Sequence, residues 1–294
     1  MDIGIVILHY LTAADTAKCV DSFRRKLDTS NYKIIIVDNN SPNGSARILE
    51  EKYDCAEDIV LIKNRENIGF ARGLNVGIRY ARQVLHAQFI FAVNNDTEIV
   101  SNGVYSILKE KYKKYHFSLL GPMIISGDST CCVNPITDQL RDHKTVQASI
   151  ERYDKLLFLN KIHMLPIYYR LAQIKSKFHL KITRSVQLDD QQNVKLHGCF
   201  WIFSPDYFMK LDYLDEATFL YMEEDIIFLH LMRNGLTSLY TPDIIAYHKE
   251  YSSTNEKFRK SREKQNFIFH HCIASQKYYL KLWDNYRDRC EERV

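Results

Sequence analysis

Three groups of acidic and amide side chains in this chain have the types and spacing to do chemistry. The first is Asn94-Asn95-Asp96, directly behind the apolar run Phe89-Ile90-Phe91-Ala92-Val93. Two amides and a carboxylate there suit a hard divalent cation, Mn²⁺ or Mg²⁺, with coordination left over for phosphate oxygens and water. An Asn-rich turn is the competing reading, since Asn and Asp favour turns for backbone reasons. The second is Asp38, which closes the run Lys33 to Val37. An ionised carboxylate only accepts hydrogen bonds, so it can take the imide N–H of uracil or thymine, which points to a pyrimidine nucleotide. A turn Asp capping the next helix would look the same. The third is Glu223-Glu224-Asp225. Three adjacent acids repel one another and raise the proton affinity of at least one, which suits a general base. A solvated acidic first turn at a helix N-terminus is the alternative. His248, at the end of another apolar run, offers an imidazole to the metal or fills a structural role.

A fourth stretch, Asn67 to Gly77, carries Gly69, Gly73 and Gly77 at four-residue intervals with Arg72 among them. Glycines let a backbone approach a ligand or a strand closely, and the helix N-terminus that follows can face a diphosphate. Arg72 is a planar cation beside that candidate phosphate site. The pattern is neither the G-x-G-x-x-G of dinucleotide folds nor a Walker loop, and helix–sheet packing explains the glycines equally well.

The elements that must position these groups are legible as alternation. Ile3 to Leu8 reads as a strand buried on both faces. A helix follows, with Thr12 and Asp15 as a capping-box-like pair and Ala13, Ala17, Val20, Phe23 and Leu27 at helical spacing. Strands at Lys33–Val37, Ile59–Lys63 and Phe89–Val93 each repeat the unit, and four strand–helix alternations in the first hundred residues require a mainly parallel sheet with right-handed crossovers. Beyond it, Ser101 to Tyr115 predicts a helix and Phe117 to Ile125 a strand interrupted by Gly121-Pro122. The pattern loosens from Ser126 to Asn193 and resumes at Val194 to Phe203. A helix opens at the acidic triplet and closes near Gly235, two short strands end at His248, and one or two helices run from Asn255 to Arg289.

Composition narrows the function classes. Within 294 residues, 46% hydrophobic and 26% charged is an ordinary globular balance, and a net charge of +4 is too small to imply nucleic acid. Seven cysteines with no CxxC pair argue against a disulfide framework or a zinc ribbon and for a reducing compartment. No run approaches the ~20 apolar residues of a membrane span, and Asp2 has the wrong sign for a signal peptide. The expectation is a cytoplasmic protein that at most touches a membrane.

Taken in order, Val37-Asp38-Asn39-Asn40-Ser41, Asn67-x-Gly69-Phe70-Ala71-x-Gly73-x-Asn75-x-Gly77-Ile78, Asn94-Asn95-Asp96, Tyr221-Met222-Glu223-Glu224-Asp225 with Arg233 and Gly235, and His248 with Ser252 form a set that resembles the inverting family 2 glycosyltransferases. Within them it is most similar to the rhamnosyltransferase-like branch that builds bacterial surface polysaccharides. The resemblance implies an α/β GT-A fold, with a Rossmann-like nucleotide-binding half over 1–100, a variable acceptor-side insert over 126–193 and an acceptor and catalytic half over 194–253. A C-terminal helical extension over 254–294 would follow the GT-A domain of 1–253. It implies a nucleotide-sugar donor, UDP- or dTDP-linked, and a glycan or lipid-linked glycan acceptor. Tyr10 and Asp38 would hold the base, Asn67, Arg72 and Asn95 would line the nucleotide-sugar site, and Asp96 and His248 would bind Mn²⁺ or Mg²⁺. Asn94 stands where the metal motif has its first acid. Gly198 would lie under the donor sugar with Trp201 beside it, core packing being the rival for Trp201. Counting back from Gly235 puts the base on Glu224, with Glu223 or Asp225 orienting the acceptor or the helix.

Two other functions compete. A nucleotidyltransferase would want a Gly-rich, Lys-bearing loop after the first strand, where His9-Tyr10-Leu11-Thr12 offers none; a non-catalytic nucleotide-sugar-binding module would not need the acidic triplet. The segment Arg152 to Arg184 interleaves Lys155, Lys161, Arg170, Lys175, Lys177, Lys181 and Arg184 with Leu156, Phe158, Ile167, Leu171 and Phe178. It reads as a surface for anionic lipid or as an amphipathic helix pair on the acceptor side.

Overall fold

A computed structural model describes residues 1–127, 132–176, 186–249 and 261–291. Ser252, and Lys177, Phe178, Lys181 and Arg184 of the basic segment, lie outside the described residues. The first half is the expected alternation: β1 (Ile3–His9), α1 (Ala13–Lys26), β2 (Tyr32–Asp38), α2 (Ser45–Tyr53), β3 (Ile59–Lys63), α3 (Phe70–Gln83) and β4 (Phe89–Asn94). All pairings among these four strands are parallel, in the order β3-β2-β1-β4. β1, β2 and β4 bury both faces because their side chains alternate between two apolar layers, while the edge strand β3 is only half-buried. Ile3, Ile5, Ile7, Ile34, Ile36, Phe89, Phe91 and Val93 pack with Val20 and Phe23 of α1 and Leu49 of α2. Val6, Ile35, Val37, Ile90 and Ala92 pack with Leu74, Ile78 and Ala81 of α3 on the other side.

The second half completes the sheet less regularly. It comprises β5 (Thr97–Ile99), α4 (Val104–Tyr115), β6 (Leu119–Ser126), α5 (His143–Lys161), α6 (Leu165–Ser176), β7 (Gln191–Gln192), β8 (Phe200–Phe203), α7 (Pro205–Phe208), α8 (Glu223–Arg233), β9 (Ser238–His248) and α9 (Ser261–Glu291). The order continues β4-β8-β6-β9-β5, with β8 antiparallel to β4 and β6, and β9 parallel to β6. The two short strands expected before His248 are one strand, β9. Its register on β6 jumps from Pro122–Thr241 to Met123–Ile245, at the point where Pro242 supplies no N–H for a ladder. Gly121-Pro122 likewise stays inside β6. Gly121 is needed there because a Cβ would sit 2.8 Å from Leu196 Cδ2. Among the described residues the C-terminal segment is one helix, Ser261–Glu291; Ile273, Tyr279 and Leu280 of α9 pack with Val146 and Ile150 of α5 and with Ile226 and Leu229 of α8.

The capping box expected of Thr12 and Asp15 does not form. Thr12 Oγ1 accepts from Asn95 Nδ2 at 2.8 Å, and the Asp15 carboxylate pairs with Lys249 Nζ at 2.9 Å, so neither side chain is left for the α1 N-terminus. Gly235 behaves as expected: at φ +61° it ends α8 just past Asn234, in a left-handed position where glycine has no Cβ penalty.

Candidate active site

Register places the candidate groups on one edge of the sheet. His9 pairs with Asp38 and Leu8 with Asn94, so β1, β2 and β4 finish level with one another. β8 runs back along β4, with Asn94 N donating to Cys199 O at 2.8 Å, so Gly198 also lies at this edge. Thr97 of β5 pairs with His248, the last residue of β9, which sets His248 beside Asp96. In open α/β sheets the carboxyl edge of the strands is where ligands bind.

On the base side of the edge, Asp38 is buried and accepts from the Ser41 backbone N–H at 3.2 and 3.3 Å. Asp38 thus closes a turn at Ser41 through long bonds but does not cap α2, whose N-cap Gly44 receives no side-chain hydrogen bond. His9, fully buried beneath it, bridges Thr16 Oγ1 at 2.7 Å and Ser45 Oγ at 2.9 Å. Burial pushes its imidazole down to about 4 against the pull of Asp38, so it packs as a neutral ring. Asn39 organises the next loop. Its Nδ2 donates to Asn67 Oδ1 and Gly69 O, and its Oδ1 accepts from Asn64 Nδ2 and Ile68 N. Asn67 thus lies at this edge, with its carbonyl also accepting from Gly69 N. Tyr10 is half-buried just past β1.

The glycines are packing residues. A Cβ at Gly73 would lie 2.6 Å from Leu8 Cδ1 and one at Gly77 2.3 Å from Val6 Cγ1, which is how α3 comes close to the sheet. Gly69, at φ +89°, would drive a Cβ to 2.5 Å from Phe219 O. Arg72 is exposed on the first turn of α3 and its Nε donates to Glu216 O at 2.8 Å, on the loop that leads to α8.

At the centre of the edge, His248 Nε2 lies 3.1 Å from Asp96 Oδ1, both side chains under a tenth exposed. Burial opposes a charge on this imidazole, but the adjoining Asp96 carboxylate and the nearby Cys199 sulfur outweigh it and push the ring up to about 10. A carboxylate and an imidazole meeting in an enclosed corner make a donor set that a divalent cation fits. Asn95, expected along the nucleotide-sugar, is buried and gives its Nδ2 to Thr12 and to Thr16 Oγ1, so it fastens the end of β4 to α1. Trp201 is corrected. At 0% exposed, with its indole N–H donated to Leu196 O and its ring edge-on to Phe70 and Phe203, it supports Gly198 from beneath instead of flanking a sugar.

The acidic triplet splits into three environments. Glu224 Oε1 accepts from Gly198 N at 3.1 Å, which joins the start of α8 to the edge. Asp225 is buried and ion-paired at 2.7 Å with Lys195, itself buried, so it fixes the helix and has no free oxygen face for catalysis comparable to that of Glu224. Glu223 points into a tight pocket with Ala71, Leu214, Thr218 and Ile226, where its Oε1 is buried without a hydrogen-bond partner. Burial first, and the Glu224 charge second, push its carboxyl up to about 8.

Sequence reasoning passed over Asn39, Lys195, His197 and Cys199. The last two stand two residues apart at the entry to β8, and that spacing was the available signal. Together with His248 they form a group whose ligand atoms lie within 4.8 Å of one another.

Residues 4–211 match the family model described as glycosyl transferase family 2. The chain belongs to that family. Among curated relatives, this family 2 chain is 23% identical over 224 residues to the low-salt glycan biosynthesis hexosyltransferase Agl10 of Haloferax volcanii, an alignment covering 76% of this chain and 59% of the relative. It therefore spans under two thirds of that relative's length. Among solved structures it resembles residues 1–349 of TarS from S. aureus, with a TM-score of 0.53 at 12% identity, covering 94% of this chain and 65% of that one. It also resembles GalNAc-T7, solved with UDP, GalNAc and Mn²⁺, with a TM-score of 0.57 at 14% identity, covering 86% and 45%. At such identities the likeness is one of fold, and the fold is the GT-A architecture that the motifs implied.

Proposed function

We propose that this family 2 chain transfers a sugar from a pyrimidine nucleotide donor, UDP- or dTDP-linked, to a hydroxyl of a glycan or lipid-linked glycan, with inversion at the anomeric carbon. The observation that carries this reading is the meeting, on one sheet edge, of Asp96 with His248 and of Glu224 with Gly198. Agl10 is a hexosyltransferase, and the TarS and GalNAc-T7 structures include complexes with UDP-GlcNAc and with UDP and Mn²⁺. The ligands of those complexes agree with a UDP-sugar donor and a divalent ion.

In this reading Asp38 and Tyr10 receive the base, and the loop held by Asn39 and Asn67 covers the nucleotide. Asp96 and His248 are the cation ligands, and Mn²⁺ tolerates an imidazole better than Mg²⁺ does. A cation held by Asp96 and His248 would supply Lewis-acid stabilisation of the charge on the departing diphosphate. Burial and the neighbouring Glu224 charge raise the proton affinity of Glu223. The proton of the pair sits on the enclosed Glu223, so Glu224 accepts the proton of the attacking hydroxyl. Gly198 leaves room above that carboxylate, since a Cβ there would lie 3.1 Å from Glu224 Oε1. The exposed apolar and basic faces of α5 and α6 fit peripheral contact with an anionic membrane on the acceptor side. No described helix is long and apolar enough to cross one.

The test is a panel of UDP- and dTDP-sugars screened by thermal shift and calorimetry with and without Mn²⁺. The expected outcome is a pyrimidine nucleotide-sugar that binds only with the cation, with binding lost in Asp96→Ala. Cation-independent binding, or an unchanged affinity in that variant, removes Asp96 from the site and the reading with it.

A further inference from the structure

The cation corner holds more ligands than a hard ion needs. Next to Asp96 and His248 stand His197 and Cys199, and one nitrogen from each imidazole and the Cys199 sulfur all lie within 4.8 Å of one another. The two rings are 5.6 Å apart between centroids. A tetrahedral ion with Zn–S of about 2.3 Å and Zn–N of about 2.0 Å sets its ligand atoms roughly 3.3–3.6 Å apart, so side-chain rotation over about 1 Å closes the set. Cys199 is 1% exposed and His248 6%, while His197 is half-buried.

Three further features mark a built site. His248 Nδ1 is buried and has no hydrogen-bond partner, an atom aimed at nothing that the protein itself supplies. His197 Nδ1 accepts the Cys199 backbone N–H at 3.2 Å, a long contact that orients the ring and that an ion taking the same lone pair would replace. All three residues sit on fixed backbone: His197 N donates to Asn134 Oδ1 at 2.7 Å, Cys199 O accepts from Asn94 N, and His248 is paired with Thr97.

We propose that His197, Cys199 and His248 form a thiolate–imidazole site for a zinc-class ion, with water as fourth ligand, and that zinc held there prevents Mn²⁺-dependent donor binding. Thiolate sulfur selects zinc over Mg²⁺ and Mn²⁺, which prefer oxygen. Binding displaces the thiol proton to solvent and forms one Zn–S and two Zn–N bonds. A neutral imidazole has a single unprotonated nitrogen, so His248 serves one ion at a time. The zinc site stands by itself; only the blocking effect rests on the donor-site cation proposed above.

Cobalt titrated into the metal-free full chain reports the site directly, because a thiolate ligand gives a near-ultraviolet charge-transfer band. The expected result is one Co²⁺ per chain with that band, bleached by Zn²⁺, absent in Cys199→Ser, and accompanied in that variant by at least ~10-fold weaker zinc binding. His197→Gln, at a half-exposed position, gives the same loss if Cys199→Ser does not fold. Cys199→Ser keeps Mn²⁺-supported donor binding and resists zinc at least ~10-fold better than the unsubstituted chain. A missing band, or one unchanged in Cys199→Ser, overturns the site. A band present in a chain that binds no nucleotide-sugar with Mn²⁺ upholds the zinc site while the transferase reading falls.

Discussion

At the residue scale, the neighbours Glu223 and Glu224 show how position on a helix turn divides two like groups. Glu224 reaches the sheet edge and Gly198, whereas Glu223 is turned into the α3 side and keeps its proton. Glu224→Gln should preserve the acceptor oxygen facing Gly198 N yet remove the base, so turnover should fall by ~10²–10⁴-fold while calorimetry returns the same donor affinity. Normal turnover in that variant would move the base elsewhere. Glu223 makes a pH prediction of the opposite sign to an ordinary paired carboxylate. Its folded value of about 8 lies above the ordinary 4.5, so between those two pH values the folded chain holds a proton that the unfolded chain releases. Its contribution to stability is therefore complete below about pH 4.5 and lost as pH rises towards 8. Thermal unfolding of Glu223→Gln across that window should decline less with pH than that of the unsubstituted chain. Parallel profiles would mean that the carboxyl is not enclosed.

At the scale of elements, the first turn of α8 is fixed by Asp225 and Lys195, an ion pair with both side chains about a tenth exposed or less. Breaking a buried pair leaves one charge without a partner, so Asp225→Ala should cost about 3–5 kcal/mol in urea unfolding. Asp225→Asn with Lys195→Met should recover most of that; if the double substitution is no better, the pair is not what holds the turn. Helices α5 and α6 expose Phe158 at 60%, Ile167 at 52% and Leu171 at 59%, with Lys155, Lys161 and Arg170 also exposed. Apolar contact plus ~1 kcal/mol per cation near an anionic surface should float the protein with anionic but not neutral vesicles, and Phe158→Ser with Leu171→Ser should reduce it. Absence from anionic vesicles ends the membrane reading. Why some elements were legible and others were not follows from their length and partners. β1, β2 and β4 are apolar throughout because both faces are covered, a pattern strong enough to read directly. β5 has three residues and no pattern of its own, yet its pairing brings His248 to Asp96. Thr12 and Asp15 satisfied a local rule but were claimed by Asn95 and Lys249, residues remote in sequence.

For the whole molecule, the order of motifs along the chain predicted a single sheet edge because parallel strands joined by helices all end on the same side. The antiparallel return of β8 along β4, which carries Gly198 to that edge, depends on a pairing between residues more than a hundred positions apart, and no local period encodes it. The same holds for Trp201. A tryptophan near the site motif was equally compatible with a sugar and with the core, and only the packing of Phe70 and Phe203 around it decides for the core.

Helix α3 grips the loop ahead of α8 at several points. Asn75 donates to Leu214 O and accepts from Leu214 N, Arg72 and Arg79 both hold Glu216, and Gly69 admits Phe219 so closely that Phe70 N reaches its carbonyl at 2.9 Å. Grafting a foreign N-terminal half onto this scaffold to change donor preference would unseat the first turn of α8 unless segment 214–219 travelled with it. On the proposed reading, sugar choice and proton transfer would then be inherited as two interlocked pieces, and recombination that separates them should yield a chimaera with a nucleotide cradle but a misplaced base.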